Sequence, residues 1–197
     1  MENSAYMPTY QALAKNPVGV SSGFAEVLLS APIKSYICTI MEILLQNNED
    51  HYNEMAAIMC NTEPWITLKR DHQACLGSIR GDSKEVYCLF EDGEVIGVII
   101  LQIGGTFRGY LQSICIAPKT RGKGYGHIAM EFCEKRIFSF SPNFFLCVSS
   151  FNKGAQKLYY SLGFKLIGEI KDFVIEGYSE LLLRKTIGSF TSFKPKQ

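Results

Sequence analysis

Six consecutive residues, Arg121-Gly122-Lys123-Gly124-Tyr125-Gly126, set two cations among three glycines directly after the apolar stretch Ile114-Cys115-Ile116-Ala117-Pro118. Glycine lets successive backbone N–H groups turn into one concavity and lets a bulky anion approach the chain, and a helix beginning there adds its positive end. Such a run suits a diphosphate, with Arg121 and Lys123 as mobile charges at the rim. Taken alone, the glycines fit equally well a plain strand-to-helix turn that needs them for tight packing. The run is not a Walker A loop, which ends in Gly-Lys-Ser/Thr, and no GxGxxG opens a parallel sheet.

Other residues that could carry chemistry are sparse. The histidines, His51, His72 and His127, are far apart, and the seven cysteines at 38, 60, 75, 88, 115, 133 and 147 form no CxxC pair, so no metal is expected. Glu63, beside Pro64 and the sole tryptophan Trp65, and Glu176 and Glu180 near the end are carboxylates of a kind more often solvated than buried. Asn152 is placed to cap a helix starting at Lys153, and Tyr159 and Tyr160 on that helix read equally as aromatics packed on a sheet.

The elements needed to position these residues can be traced by period. A strand is expected over Tyr36–Gln46, a helix capped by Asn48 through Met59, a break at Asn61-Thr62-Glu63-Pro64, and a second helix over Asp71–Ile79. Glu85–Phe90 and Val95–Ile103 flank an Asp92-Gly93 hairpin turn, and Tyr110–Ala117 makes a fourth strand. Gly124–Phe138 has helical spacing with Ile128, Ala129, Phe132 and Ile137 on one face. Asn143–Val148, a helix over Lys153–Leu162 stopped by Gly163, and strands Lys165–Ile175 and Tyr178–Thr186 complete the order β-α-α-β-β-β-α-β-α-β-β. This is an α/β chain whose sheet mixes antiparallel hairpins with crossover helices.

At 197 residues the chain fits one domain with a core large enough to need no staples. Residues 1–34 keep no sustained period and read as a loosely packed extension, 35–190 as the domain, and 191–197 as a flexible tail. Twenty basic against nineteen acidic residues give no field to attract nucleic acid or an anionic membrane. The apolar stretch Tyr36–Leu45 is about half the length of a membrane span and is not followed by a cleavage site, and the scattered cysteines read as reduced, so a cytoplasmic protein is expected.

Two spaced motifs together resemble the GNAT superfamily of N-acetyltransferases. Arg121, Gly124 and Gly126 after a strand ending in proline match the first, and Asn152, Ala155, Leu158-Tyr159 and Gly163-Phe164 match the second, in the same order and spacing. The resemblance covers about Met41–Ile187. It implies a mixed, mostly antiparallel central sheet flanked by helices, with the fourth and fifth strands splayed. It implies acetyl-CoA as co-substrate, its pyrophosphate on Arg121, Gly122, Lys123, Gly124, Tyr125 and Gly126, and its pantetheine arm on the backbone groups of Ile114 and Ile116, with Cys115 between them, and on Asn152. Tyr159 falls on the tyrosine that protonates the departing thiolate. The implied reaction is acetyl transfer to a primary amine of a small molecule or peptide, by direct attack in a ternary complex of a monomer or homodimer. Where many relatives carry a strand glutamate, this chain has Tyr110-Leu111-Gln112-Ser113 and Leu146-Cys147-Val148. Glu63, whose loop borders the acceptor site in the family, becomes the expected base, ahead of Glu176 and Glu180. The missing strand carboxylate also leaves room for a non-catalytic module that binds or senses acyl-CoA.

Overall fold

The computed structural model describes residues 41–195. Its elements are β1 (Met41–Leu45), α1 (Glu49–Cys60), α2 (His72–Ile79), β2 (Lys84–Glu91), β3 (Glu94–Gln102), β4 (Tyr110–Ile116), α3 (Tyr125–Phe138), β5 (Asn143–Ser149), α4 (Lys153–Ser161), β6 (Lys165–Lys171) and β7 (Ser179–Thr186). This is the expected order. The first strand is seen from Met41, and the expected residues 36–40 and the extension 1–34 lie outside the described residues.

The strands form one sheet in the order β1-β2-β3-β4-β5-β7-β6, antiparallel throughout except for β4 and β5. Alternation along each strand splits the core into two layers. Val86, Cys88, Val98, Ile100 and Cys115 pack under Met55, Met59, Cys75 and Ile79 of α1 and α2. Tyr87, Leu89, Ile99, Leu146 and Leu183 pack on the other face against Ala129, Cys133 and Ile137 of α3 and Tyr159 of α4. A half-buried Arg136, whose Nε donates to Glu85 at 2.8 Å while Tyr87 donates to the same carboxylate at 2.7 Å, ties the end of α3 to β2.

Local chemistry explains most boundaries. Asn48, Asp71 and Asn152 each accept a backbone N–H of the helix they precede, at 2.8, 2.8 and 3.2 Å. The β2–β3 turn holds Asp92 and Gly93 at φ 52° and 80°, the left-handed pair a two-residue hairpin requires.

Two expectations are corrected. Ile128 is exposed, because α3 buries the row Tyr125, Ala129, Cys133 and Ile137 together with Met130 on its far flank. The sixth strand ends at Lys171 instead of Ile175, since Asp172 turns to φ 51° and its carboxylate accepts the Gly177 N–H at 2.7 Å. Phe173 and Val174 therefore stand at a hairpin tip.

Candidate active site

β4 and β5 touch only at their beginnings. Tyr110 pairs with Phe145 and Leu111 with Leu146, and the Phe145 N–H donates to Gly109 O at 2.9 Å. Gly109 makes this vertex possible: it sits at φ 88°, and a Cβ there would stand 2.5 Å from Asn143 O. Beyond Leu111 the strands separate, opening a cleft of about 730 Å³ between Gln112–Ile116 and Cys147–Ser149. The Ala117 N–H donates to Ile96 O, so strand alternation turns the backbone groups of Ile116 and Ile114 away from β3 and into this wedge. Cys115, an expected cofactor contact, offers the wedge neither group: the same alternation turns its backbone to Val98 of β3, and its side chain is buried under α1 and α2, where burial pushes the thiol up to about 12.

One end of the cleft is built from backbone. The other three α-helices begin with a side-chain cap, but α3 begins at Gly124 in the left-handed region, with no side-chain cap bond. Gly122 and Gly124 sit at φ 82° and 83°, and a Cβ on either would meet open space, so the requirement for glycine there is conformational. Among the described residues, the N–H groups of Gly122, Lys123, Gly124 and Gly126 make no hydrogen bond. Four donors at an uncapped helix start, beside a strand that exposes its own amides, fit the diphosphate and pantetheine of acetyl-CoA.

The two cations of this run behave differently from one another. Arg121 lines the cleft, its Nε donating to Ile116 O at 3.2 Å. Lys123, expected at the rim, instead reaches back to Glu91 at 2.6 Å, and the Tyr125 hydroxyl donates to the same oxygen. These bonds, from Lys123 first, hold the Glu91 carboxyl below the usual carboxylate range. Tyr125 is buried against the α3 core, so its ring anchors the loop while its backbone opens the helix.

The other end is built from side chains that the sheet gathers. Residues paired across a ladder share a face, and β5 pairs Ser149 with Glu180 and Cys147 with Leu182 of β7. Glu180 is thereby placed on the cleft wall beside β5, only 7% exposed, with Ser149 Oγ donating to its Oε1 at 2.6 Å. Burial raises its carboxyl above the ordinary range, opposed by the Ser149 hydrogen bond. Tyr110 and Cys147 lie beside it, and burial raises both their groups, so neither loses a proton at neutral pH.

Glu63 also lines the cleft, but it is exposed at the mouth and its Oε2 accepts the Thr67 N–H at 3.2 Å. Glu176 is exposed and is not among the lining residues. The buried carboxylate in the wedge is therefore Glu180, which sequence reasoning ranked behind Glu63. The signal that could have found it is the register of β5 against β7. Trp65 both packs on the α1–α2 cluster and lines the cleft.

Tyr159 faces the cleft from α4, its ring set in the core 6.0 Å from that of Phe164, and burial raises its hydroxyl well above the usual phenol value. Asn152 caps α4 and lines the same cleft. Among the described residues, no group of three or more His, Cys, Asp or Glu is placed to hold a metal ion, and no helix is long and apolar enough to cross a membrane. A smaller cavity of about 420 Å³ beside β1 and α2 has its cations engaged, Arg80 by Glu49 and Lys84 by the Ser78 and Arg80 carbonyls.

Comparison with known proteins places this geometry. The family model described as acetyltransferase (GNAT) family matches residues 45–164. Among solved structures, the ribosomal-protein-S18-alanine N-acetyltransferase of Escherichia coli is similar at a TM-score of 0.62 and 17% identity, over 76% of this chain and 96% of that one. The aminoglycoside 6'-N-acetyltransferase of Enterococcus faecium is similar at 0.59 and 15%, over 76% and 98%. An aminoglycoside 6'-N-acetyltransferase complexed with coenzyme A is similar at 0.60 and 14%, over 76% and 98%. At such identities these likenesses establish the fold alone. No curated protein matches in sequence.

Proposed function

Because the chain belongs to the GNAT acetyltransferase family, we propose that it transfers the acetyl group of acetyl-CoA directly to a primary amine of a small molecule or peptide, with Glu180 as general base and Tyr159 as general acid. The observation that carries this reading is the buried Glu180 carboxylate in the wall of the wedge, hydrogen-bonded by Ser149.

Acetyl-CoA supplies an acyl group activated as a thioester; the chain must hold it and move two protons. The open N–H groups of Gly122, Lys123, Gly124 and Gly126 bind the diphosphate, and the backbone of Ile114 and Ile116 aligns the pantetheine arm. An N–H of that strand also donates to the carbonyl oxygen as it gains negative charge. One such donor is worth about 10²–10³ in rate in enzymes that use it.

Glu180 takes the proton from the incoming ammonium. Its Oε1 is occupied by Ser149, which leaves Oε2 to face the nitrogen, and its raised pKa makes it a stronger base than an exposed glutamate. The freed amine attacks the thioester carbon and the new C–N bond forms; the nitrogen, positive in that adduct, releases its second proton to solvent as the C–S bond breaks. Tyr159 donates its hydroxyl proton to the departing sulfur. Burial keeps the phenol protonated until then, and the same desolvation makes a thiolate formed beside it more basic. The proton held by Glu180 and the one owed to Tyr159 exchange with solvent.

A non-catalytic acyl-CoA module was motivated by the absence of a carboxylate on β4 and β5. Glu180, supplied by the neighbouring strand, removes that motive. The test is release of free thiol from acetyl-CoA across a panel of amines. Turnover with at least one amine is expected, whereas calorimetric binding of acetyl-CoA without turnover on any amine returns the non-catalytic module.

A further inference from the structure

We infer that the acceptor is a single-amine molecule on an apolar, aromatic-sized body, and that the cleft disfavours polycationic amines; this rests on the N-acetyltransferase reading with Glu180 as base.

Charge is the first ground. Among the described residues that line the cleft, only Glu63 and Glu180 are carboxylates. Glu180 is buried and committed to the reacting nitrogen, and Glu63 stands exposed at the mouth with one oxygen on the Thr67 N–H. A polyamine or an aminosugar antibiotic brings several further ammonium groups. Each loses water on entering and needs its own carboxylate, and a site without those partners rejects it.

The walls are the second ground. Trp65 and Leu68 line one side of the cleft, from the connection between α1 and α2, and Phe173 and Val174 line it from the β6–β7 hairpin tip. Phe173 is 61% exposed and Val174 45%, so neither side chain is spent on the core. A single exposed apolar residue on a surface means little. Two such residues held at a hairpin tip by the Asp172–Gly177 bond, lining the same cleft as a tryptophan and a leucine, make apolar surface that an aromatic body would cover.

Reaction rates for the full chain at fixed acetyl-CoA, read as thiol release, decide the matter with 2-phenylethylamine and tryptamine set against spermidine, kanamycin and an unblocked tetra-alanine peptide. The aromatic monoamines should exceed the other three in kcat/KM by about tenfold or more, the discrimination an apolar pocket gives. Phe173→Ala, at an exposed tip, should raise KM for 2-phenylethylamine about threefold or more while acetyl-CoA affinity stays unchanged. Preference for spermidine, kanamycin or the peptide overturns the inference and leaves N-acetyl transfer standing. Unchanged KM in Phe173→Ala overturns the apolar wall. Failure of all five amines, with acetyl-CoA binding confirmed by calorimetry, overturns the parent reading and this one with it.

Discussion

The two ends of the cleft are made of different materials. At the cradle the working groups are backbone amides, set by the left-handed conformations of Gly122 and Gly124 and by an α3 that starts without a side-chain cap. At the acceptor end they are side chains drawn from five separate segments: Glu63 and Trp65, Tyr110, Cys147 and Ser149, Tyr159, and Phe173 with Glu180. A backbone site tolerates side-chain change but not a change in φ. A side-chain site responds in the opposite way, losing rate when a single functional group is removed while its fold persists.

Replacing Glu180 should have the largest effect. Glu180→Gln keeps the shape and leaves Ser149 an acceptor, and kcat should fall by about 10²–10⁴, the usual worth of a general base. Stability supplies the control. Because the folded pKa of Glu180 is raised, the native state keeps a proton that the unfolded chain has lost between the unfolded and folded pKa values. Stability from this group is therefore undiminished below the unfolded value and falls as pH rises through the folded one. Glu180→Gln should melt no lower than wild type at pH 8, so a slow variant with a depressed melting temperature there would point to fold damage.

Tyr159→Phe comes next. Its ring is core and its hydroxyl is the proposed acid, so kcat should fall roughly a hundredfold, while melting temperature and acetyl-CoA affinity change little. A kcat within about twofold of wild type, with chemistry limiting, would make the tyrosine a packing residue only.

At the cradle, Gly124→Val forces a β-branched residue to φ 83°, a strain of about 1–3 kcal/mol. Acetyl-CoA affinity should fall by roughly ten- to a hundredfold with little loss of kcat at saturation, as titration calorimetry and saturation kinetics would show. Lys123→Met should weaken affinity by no more than about threefold, because that ammonium is already paired with Glu91. A larger loss would mean that Lys123 swings to the phosphates and would blur the contrast between backbone and side-chain ends.

The same contrast governs what could be read in the sequence. The element order, the Asp92-Gly93 turn and the Asn48 and Asn152 caps were legible because each depends on residues a few positions apart. So was the cradle, a contiguous run of glycines and cations. Two details, one in that run and one in the helix it opens, were not. Lys123 turns to Glu91, 32 residues away, and Ile128 faces solvent because the sheet selects a different row of α3. Glu180 was visible as a candidate but ranked low, since nothing within β7 marks it. Its place depends on the register that sets it opposite Ser149, 31 residues earlier in the chain. The early end of β6 followed from the conformation of Asp172, for which the surrounding apolar residues gave no warning.

The pH dependence of kcat/KM for a turned-over amine, measured on wild type and Glu180→Gln, tests the assignment of the base most directly. In the wild type the acid limb should rise with pH as the carboxylate forms, with its midpoint above the ordinary glutamate value of about 4.3 because burial disfavours the charged form. That limb should vanish in Glu180→Gln, leaving only the ionisation of the amine itself. The same limb with the same midpoint in both proteins would contradict the account and place the base elsewhere.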